Sequence, residues 1–209
     1  MTDALVFYTN PMSRGRIVRW MLEELGQPYS TVLLDYRTTI RSPAYLAINP
    51  MGKVPALVHG EVVVTECAAI CAYLADAFPQ AELAPATSSP LRGAYYRWLF
   101  FGAGPVEAAV TNQSLGFEIP PDQVQLQGRA GYGSLKRVLD TLDSTLTGRD
   151  HLVGDRFSAA DLYIAAQLGW GMQFGTIDKR PNFERYVALH RERPAALRAA
   201  RIDDGLLNS

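Results

Sequence analysis

The chain has 209 residues, 48% of them hydrophobic and 20% charged, enough for one large globular domain or two small ones sharing an interface. Its 20 Lys and Arg against 21 Asp and Glu leave a formal net charge of -1, and no basic run is interleaved with aromatics; this argues against nucleic-acid or membrane partners and for a small molecule. The start, Met1 to Tyr8, lacks the features of a signal peptide, and no segment reaches the roughly 18 apolar residues of a membrane span, so a cytoplasmic location is expected.

The first eighty residues read as alternating strand and helix. Ala4 to Tyr8 is a short apolar run broken by Asn10-Pro11, after which Ile17, Val18, Met21, Leu22 and Leu25 recur at helical spacing until Gly26. Thr31 to Leu34 is a second strand, laid parallel to the first by a right-handed crossover. Pro43 to Ile48 allows a short helix. Val54 to Val58 and Val62 to Val64 flank His59-Gly60-Glu61 as a hairpin, and Cys67, Ile70, Cys71, Leu74 and Phe78 mark the buried face of a third helix. The order is βαβαββα. A stretch rich in Pro, Ala and Ser reads as a linker over 79–89, dividing residues 1–78 from 90–209.

The remainder reads as helical. One stretch from Leu91 buries Tyr95, Trp98, Leu99 and Phe101 and bends at Gly104-Pro105; another places Tyr132, Leu135, Val138, Leu139, Leu142 and Leu146 on one face. Shorter helices follow Ser158, Pro181 and Pro194. Ser158 with Asp161 forms a capping box, a structural feature. The expected fold is therefore α/β plus all-α, a small mixed domain followed by a helical one.

Three places can carry chemistry. Pro55 interrupts an apparent strand; a plain edge proline is one explanation, but the flanking βαβ unit favours a cis bond of the thioredoxin-like kind, which frees the Val54 backbone to pair with a peptide-like ligand. Asn10-Pro-Met-Ser13-Arg-Gly-Arg16 lies between strand and helix, where unpaired N–H groups favour an anion such as a thiolate. Ser13 offers it a hydroxyl, although serine there also serves as an ordinary cap, and Tyr8 and Asn10 are rival donors. Arg14, Arg16 and Arg19 either attract an anion or form a solvated face. Thr65-Glu66-Cys67 opens the third helix, where N–H groups and a carboxylate suit the head of an amino acid, unless the pair only caps. Cys67 and Cys71 read as buried reduced thiols, and His59, His151 and His190 have no ligand spacing, so no metal is expected.

Taken together, Phe7-Tyr8-x-Asn10-Pro11-x-Ser13, Asn49-Pro50-Met-Gly-Lys53-Val54-Pro55-Ala-Leu, Glu66-Cys67-x-x-Ile70-x-x-Tyr73-Leu74 and Phe157-Ser158-x-Ala-Asp161 resemble the cytosolic glutathione transferases, bacterial ones in particular. The resemblance implies a thioredoxin-like N-terminal domain, an all-helical C-terminal domain, a homodimer, a role in detoxification, and glutathione as co-substrate without a metal. It implies that Val54 and Pro55 present backbone to the cysteinyl part, that Glu66 and Cys67 hold the γ-glutamyl end, and that Lys53 assists. Ser13, with Tyr8 and Asn10 as alternatives, would hold the sulfur as a thiolate for attack on a small apolar electrophile, for which Phe101, Gly104 and Trp170 are the pocket candidates. Cys67 stands where the family has serine, a stronger donor. A glutathione-dependent disulfide reductase, isomerase or dehalogenase would use the same site, and a non-catalytic binding protein is the reading from a different class.

Overall fold

A computed structural model of the chain describes residues 4–207. Strand β1 (Leu5–Thr9), helix α1 (Gly15–Leu25), strand β2 (Tyr29–Leu33), helix α2 (Pro43–Leu46), strands β3 (Ala56–His59) and β4 (Val62–Thr65) and helix α3 (Cys67–Ala77) follow in the expected order. The sheet runs β2-β1-β3-β4, with β1 and β2 parallel and the other pairs antiparallel. Parallel pairing of β1 with β2 requires the crossover that α1 supplies.

Alternation along β1 decides which side chains meet which helix. Leu5, Phe7 and Thr9 are buried on one face, and the Arg19 guanidinium of α1 lies 5.0 Å from the Phe7 ring centroid there. Tyr8 lies on the opposite face, in a cluster with Leu34, Ile40, Tyr45 and Ala56. Helix α1 buries Ile17, Val18, Met21, Leu22 and Leu25, as its spacing predicts, and Gly26 closes it with a φ of 64° and an N–H bond to the Leu22 carbonyl.

The register carries the main positional consequence. Val32, Tyr8, Ala56 and Thr65 form one row across the four strands. β1 and β4 end at or just past that row, and antiparallel β3 begins there. The chain leaving β1, the chain entering β3 and the chain leaving β4 therefore emerge at the same edge of the sheet.

Contacts divide the chain into two units, residues 1–82 with 193–209, and residues 83–192. The last helix, α10 (Pro194–Leu207), packs on α1, so it joins the sheet unit although a cut at residue 90 groups it with the helices. The helical unit holds α4 (Leu91–Phe101), α5 (Glu107–Ser114), α6 (Val124–Arg129), α7 (Leu135–Leu146), α8 (Ala159–Phe174) and α9 (Pro181–Arg191). α8 is buried along most of its length, as expected of a helix that is apolar all round. Its capping box is present: Ser158 N–H and Oγ both donate to the Asp161 carboxylate.

At Gly104-Pro105, where a bend is expected, a π-helical turn over Gly102–Val106 takes in the proline and joins α4 to α5. Two expectations for the helical unit need correction. Tyr132 lies outside α7: Gly133, at φ 71°, breaks the backbone, and Ser134 caps the helix by accepting the Arg137 N–H. Phe101 is half-buried, its ring set edge-on to Trp98 at 5.5 Å.

Candidate active site

The turn between β1 and α1 is built almost wholly from hydrogen bonds of its own side chains. Asn10 Nδ2 donates to the Leu34 carbonyl at 2.8 Å, tying the turn to the end of β2, and its Oδ1 accepts the Met12 N–H at 2.8 Å. Ser13 Oγ donates to the Asn10 carbonyl at 2.6 Å and accepts the Gly15 N–H at 2.9 Å. Both Asn10 polar ends are thus engaged within the fold, whereas the Ser13 hydrogen can turn about Cβ–Oγ without moving a heavy atom. The Gly15 N–H pulls density from that oxygen and makes the O–H a better donor.

Gly15 is the residue this turn cannot exchange. A Cβ there would come 2.0 Å from Thr9 Oγ1 and 2.9 Å from Ser13 Oγ, so the absent side chain lets α1 start directly against the end of β1.

Of the rival donors, Tyr8 sits on the sheet face away from α1, its ring 5.6 Å from that of Tyr45. Tyr45 in turn donates its hydroxyl to the Lys53 carbonyl at 2.5 Å, and Asn49 Nδ2 donates to the same carbonyl at 2.8 Å. Burial pushes the Tyr45 hydroxyl up to about 12, so it stays a donor at any ordinary pH. These two bonds fix the loop immediately ahead of Val54, while the Lys53 side chain is exposed. The Val54–Pro55 bond is cis, as expected, and the ladder with β1 begins only at Ala56, leaving the Val54 backbone outside it.

Glu66 is exposed at the start of α3 with φ 65° and ψ 120°, a left-handed φ that costs a residue with a Cβ about 1–3 kcal/mol. Cys67 follows as the first residue of α3, buried, with its thiol 3.5 Å from the Arg14 carbonyl. That contact joins the starts of α1 and α3. The turn at Ser13, the Val54 loop and the Glu66–Cys67 helix start are thereby gathered at one sheet edge. Cys71 is also a buried free thiol.

The arginines of α1 are not a solvated face. Arg19 is 1% exposed and pairs through Nε with Asp203 Oδ1 of α10 at 3.1 Å, while Nη1 donates to Tyr29 Oη and Thr31 Oγ1. Arg16 Nε donates to the Pro11 carbonyl at 2.7 Å. Helical spacing assigns both to an outer face, and only the α10 packing reveals their roles.

Of the pocket candidates in the helical unit, Phe101 lies edge-on to Trp98, Trp170 meets Phe174 edge-on at 5.8 Å, and Gly104 is exposed with open space around a Cβ built on it. A cavity of about 640 Å³ in this unit is lined by residues such as Ala109, Glu118, Tyr132 and Lys136.

Two histidines separated in sequence do meet. His151 and His190 lie with ring centroids 5.5 Å apart, and with Asp161 they bring one ligand atom each within 4.8 Å. The Asp161 carboxylate is already spent: it accepts from Leu152 N–H, Ser158 N–H, Ser158 Oγ and Tyr186 Oη. His190 Nε2 lies 2.9 Å from the Asp150 carbonyl. These bonds make Asp161 a buried hydrogen-bond hub.

Comparison with known proteins accords with this geometry. The glutathione S-transferase N-terminal domain family model matches residues 7–82, and the C-terminal domain model matches residues 125–194. Glutathione S-transferase 3 of Zea mays is 32% identical over 169 residues, covering 75% of this chain and 73% of that protein. A glutathione S-transferase of Xanthomonas campestris is 28% identical over 174 residues, with 80% and 83% covered. A sphingomonad glutathione S-transferase solved in complex with glutathione superposes with a TM-score of 0.75 at 30% identity, over 95% of this chain and 98% of that one. With a matching sheet unit, a matching helical unit and these relatives, the chain belongs to the glutathione S-transferase family.

Proposed function

We propose that this chain is a glutathione transferase: it binds glutathione at the sheet edge, holds its sulfur as a thiolate at the start of α1, and lets that thiolate attack a small apolar electrophile. The observation that carries the reading is the convergence of three backbone features at one edge, namely the Ser13 turn, the Val54 loop ahead of the cis proline, and the strained Glu66 at the start of α3.

Each feature meets a different part of the tripeptide. The Val54 backbone pairs with the cysteinyl residue as an added strand would. Glu66 accepts from the γ-glutamyl ammonium, and the first N–H groups of α3 take its carboxylate. A side chain held at positive φ at a helix start is strain that a binding role accounts for. Ser13 rotates its hydrogen from the Asn10 carbonyl to the sulfur, and the helix-start N–H groups add to the thiolate preference. Lys53 and Cys67 flank this site, and Phe101, Gly104 and Trp170 stay candidates for the electrophile. The protein acts in the cytoplasm as a homodimer in detoxification, on this reading.

The test is retention on immobilised glutathione followed by conjugation to an activated aryl chloride. A chain that binds without turnover is the non-catalytic protein that Cys67 favours, and one that does neither refutes the proposal. Ser13→Ala raises the apparent pKa of the bound thiol; if Tyr8→Phe shifts it instead, the donor is misassigned.

A further inference from the structure

One of the bonds that fix the Asn10–Ser13 turn comes from a side chain that is itself tied to the far end of the chain. Arg16, in the first turn of α1, folds its guanidinium back so that Nε donates to the Pro11 carbonyl at 2.7 Å, while Nη2 lies 2.8 Å from Asp204 Oδ1 on α10. Proline has no N–H, so that carbonyl is the only backbone polar group by which residue 11 can be held. The Arg16 side chain is 24% exposed, and a charge-assisted bond in such partly dry surroundings is stronger than a neutral one.

Asp204 is delivered to this place by a charge pattern that fits in one direction only. Arg16 and Arg19 at the start of α1 meet Asp204 and Asp203 at the end of α10, whereas Glu23 and Glu24 at the end of α1 meet Arg198 and Arg193 at the start of α10. A parallel arrangement would set like charges against one another.

We propose that Arg16 is a positioning residue for the glutathione thiolate, clamping the Pro11 carbonyl so that Ser13 and the helix-start N–H groups keep their aim, with Asp204 as its anchor. This rests on the reading of the Ser13 turn as the sulfur site. Arg16 touches neither sulfur nor electrophile in this role; it acts through the turn.

A pure charge effect makes a different forecast. If Arg16 mattered only through its field, removing the carboxylate of Asp204 would expose more positive potential to the sulfur and lower the thiol pKa. If Arg16 matters as a clamp, losing its anchor loosens the turn and raises that pKa. The sign decides between them.

The experiment uses the full chain with glutathione, reading the bound thiol pKa from the pH dependence of thiolate absorbance, and kcat and KM for glutathione with an activated aryl chloride. Arg16→Gln is expected to raise the thiol pKa and to lower kcat/KM at neutral pH roughly tenfold, within the range a small misplacement can cost. Arg16→Lys keeps the charge and recovers part of the loss. Asp204→Asn moves both quantities in the same direction by about two- to threefold, as suits an exposed partner. Arg198→Gln, which releases the other end of α10, leaves the thiol pKa unchanged. An unchanged thiol pKa in Arg16→Gln, a lowered one in Asp204→Asn, or an equal shift in Arg198→Gln overturns the inference. Should Arg16→Gln not fold, the Lys and Asn variants carry the test. A wild-type chain that forms no bound thiolate sinks the transferase reading itself, whereas a wild-type thiolate unmoved by Arg16→Gln sinks only the clamp.

Discussion

Asp203→Ala should be among the most destabilising single changes in the sheet unit. Asp203 and Arg19 are each 1% exposed, and their ion pair joins α10 to α1 at 3.1 Å. Among the described residues Arg19 Nη2 and Asp203 Oδ2 have no hydrogen-bond partner, so the pair is buried but incompletely satisfied. Removing the carboxylate leaves the guanidinium buried with only Tyr29, Thr31 and the Phe7 face as company, a loss of about 3–5 kcal/mol. Replacing both partners, Arg19→Met with Asp203→Leu, should return most of that, because desolvation of the two ions is no longer required. Urea unfolding at constant m reads the midpoints, and the double-mutant cycle isolates the coupling. Lys136→Ala is the control, since that i,i+4 pair with Asp140 has side chains 83% and 47% exposed and contributes little. An Asp203→Ala midpoint no lower than that of Lys136→Ala would refute the claim that the pair is buried in solution.

The same pair has a pH signature. Burial raises the Asp203 carboxyl more than Arg19 lowers it. The folded chain therefore keeps this proton where the unfolded chain has lost it. Stability from this group falls as pH rises from the ordinary carboxylate range through the raised value, and is flat beyond it. Asp203→Asn, which cannot titrate, should lack that slope, so the difference in stability between wild type and variant carries it.

Glu66→Gly relieves the positive φ and should stabilise the free protein by about 1 kcal/mol while weakening glutathione binding; thermal midpoints with and without glutathione read both effects, and a loss of stability without ligand would contradict the strain argument. Gly15→Ala sets a Cβ against Thr9 and should cost about 1–3 kcal/mol by overpacking, with a raised pKa of the bound thiol; an unperturbed variant would mean that α1 can shift freely. Ser158→Ala removes a cap at about 1 kcal/mol, whereas Asp161→Ala strips the partner of Leu152, Ser158 and Tyr186 and should cost more than 3 kcal/mol in roughly that mechanism's upper range. Equal midpoints for those two variants would show that the hub is no more than a cap.

What the sequence made legible follows period and turn chemistry. The 3.6-residue recurrence from Ile17 to Leu25 and the valine runs around Gly60 locate α1, β3 and β4 because burial on one side of each element leaves a local trace. Pro55 and Glu66 are visible for the same reason, one as a break in a strand and one as a helix start. The placement of α10 leaves no such trace: its partners Glu23 and Glu24 lie about 170 residues away in sequence, and isolated charges on a helix read as solvent-facing. Arg16 and Arg19 are hidden by that same habit. Apolar spacing alone places Tyr132 on α7, because it does not register the left-handed Gly133 that precedes the helix.

The candidate site is made from the places where the chain enters and leaves a sheet edge, and this bears on Cys67. The row Val32, Tyr8, Ala56 and Thr65 is held by backbone pairing, so any sequence that keeps the pairing brings residues 10–15, 54–55 and 66–67 together. Side chains in the turn, Asn10 and Ser13 above all, are engaged first in holding its shape. At position 67 the thiol is turned toward the Arg14 carbonyl, and what the helix start offers a carboxylate is its N–H groups, which a change from serine to cysteine leaves in place. The substitution therefore removes one side-chain donor from a binding arrangement whose geometry is set by the backbone. Under the proposed reading it should loosen glutathione without abolishing it, because the Val54 loop and the Glu66 carboxylate do not depend on the side chain at 67.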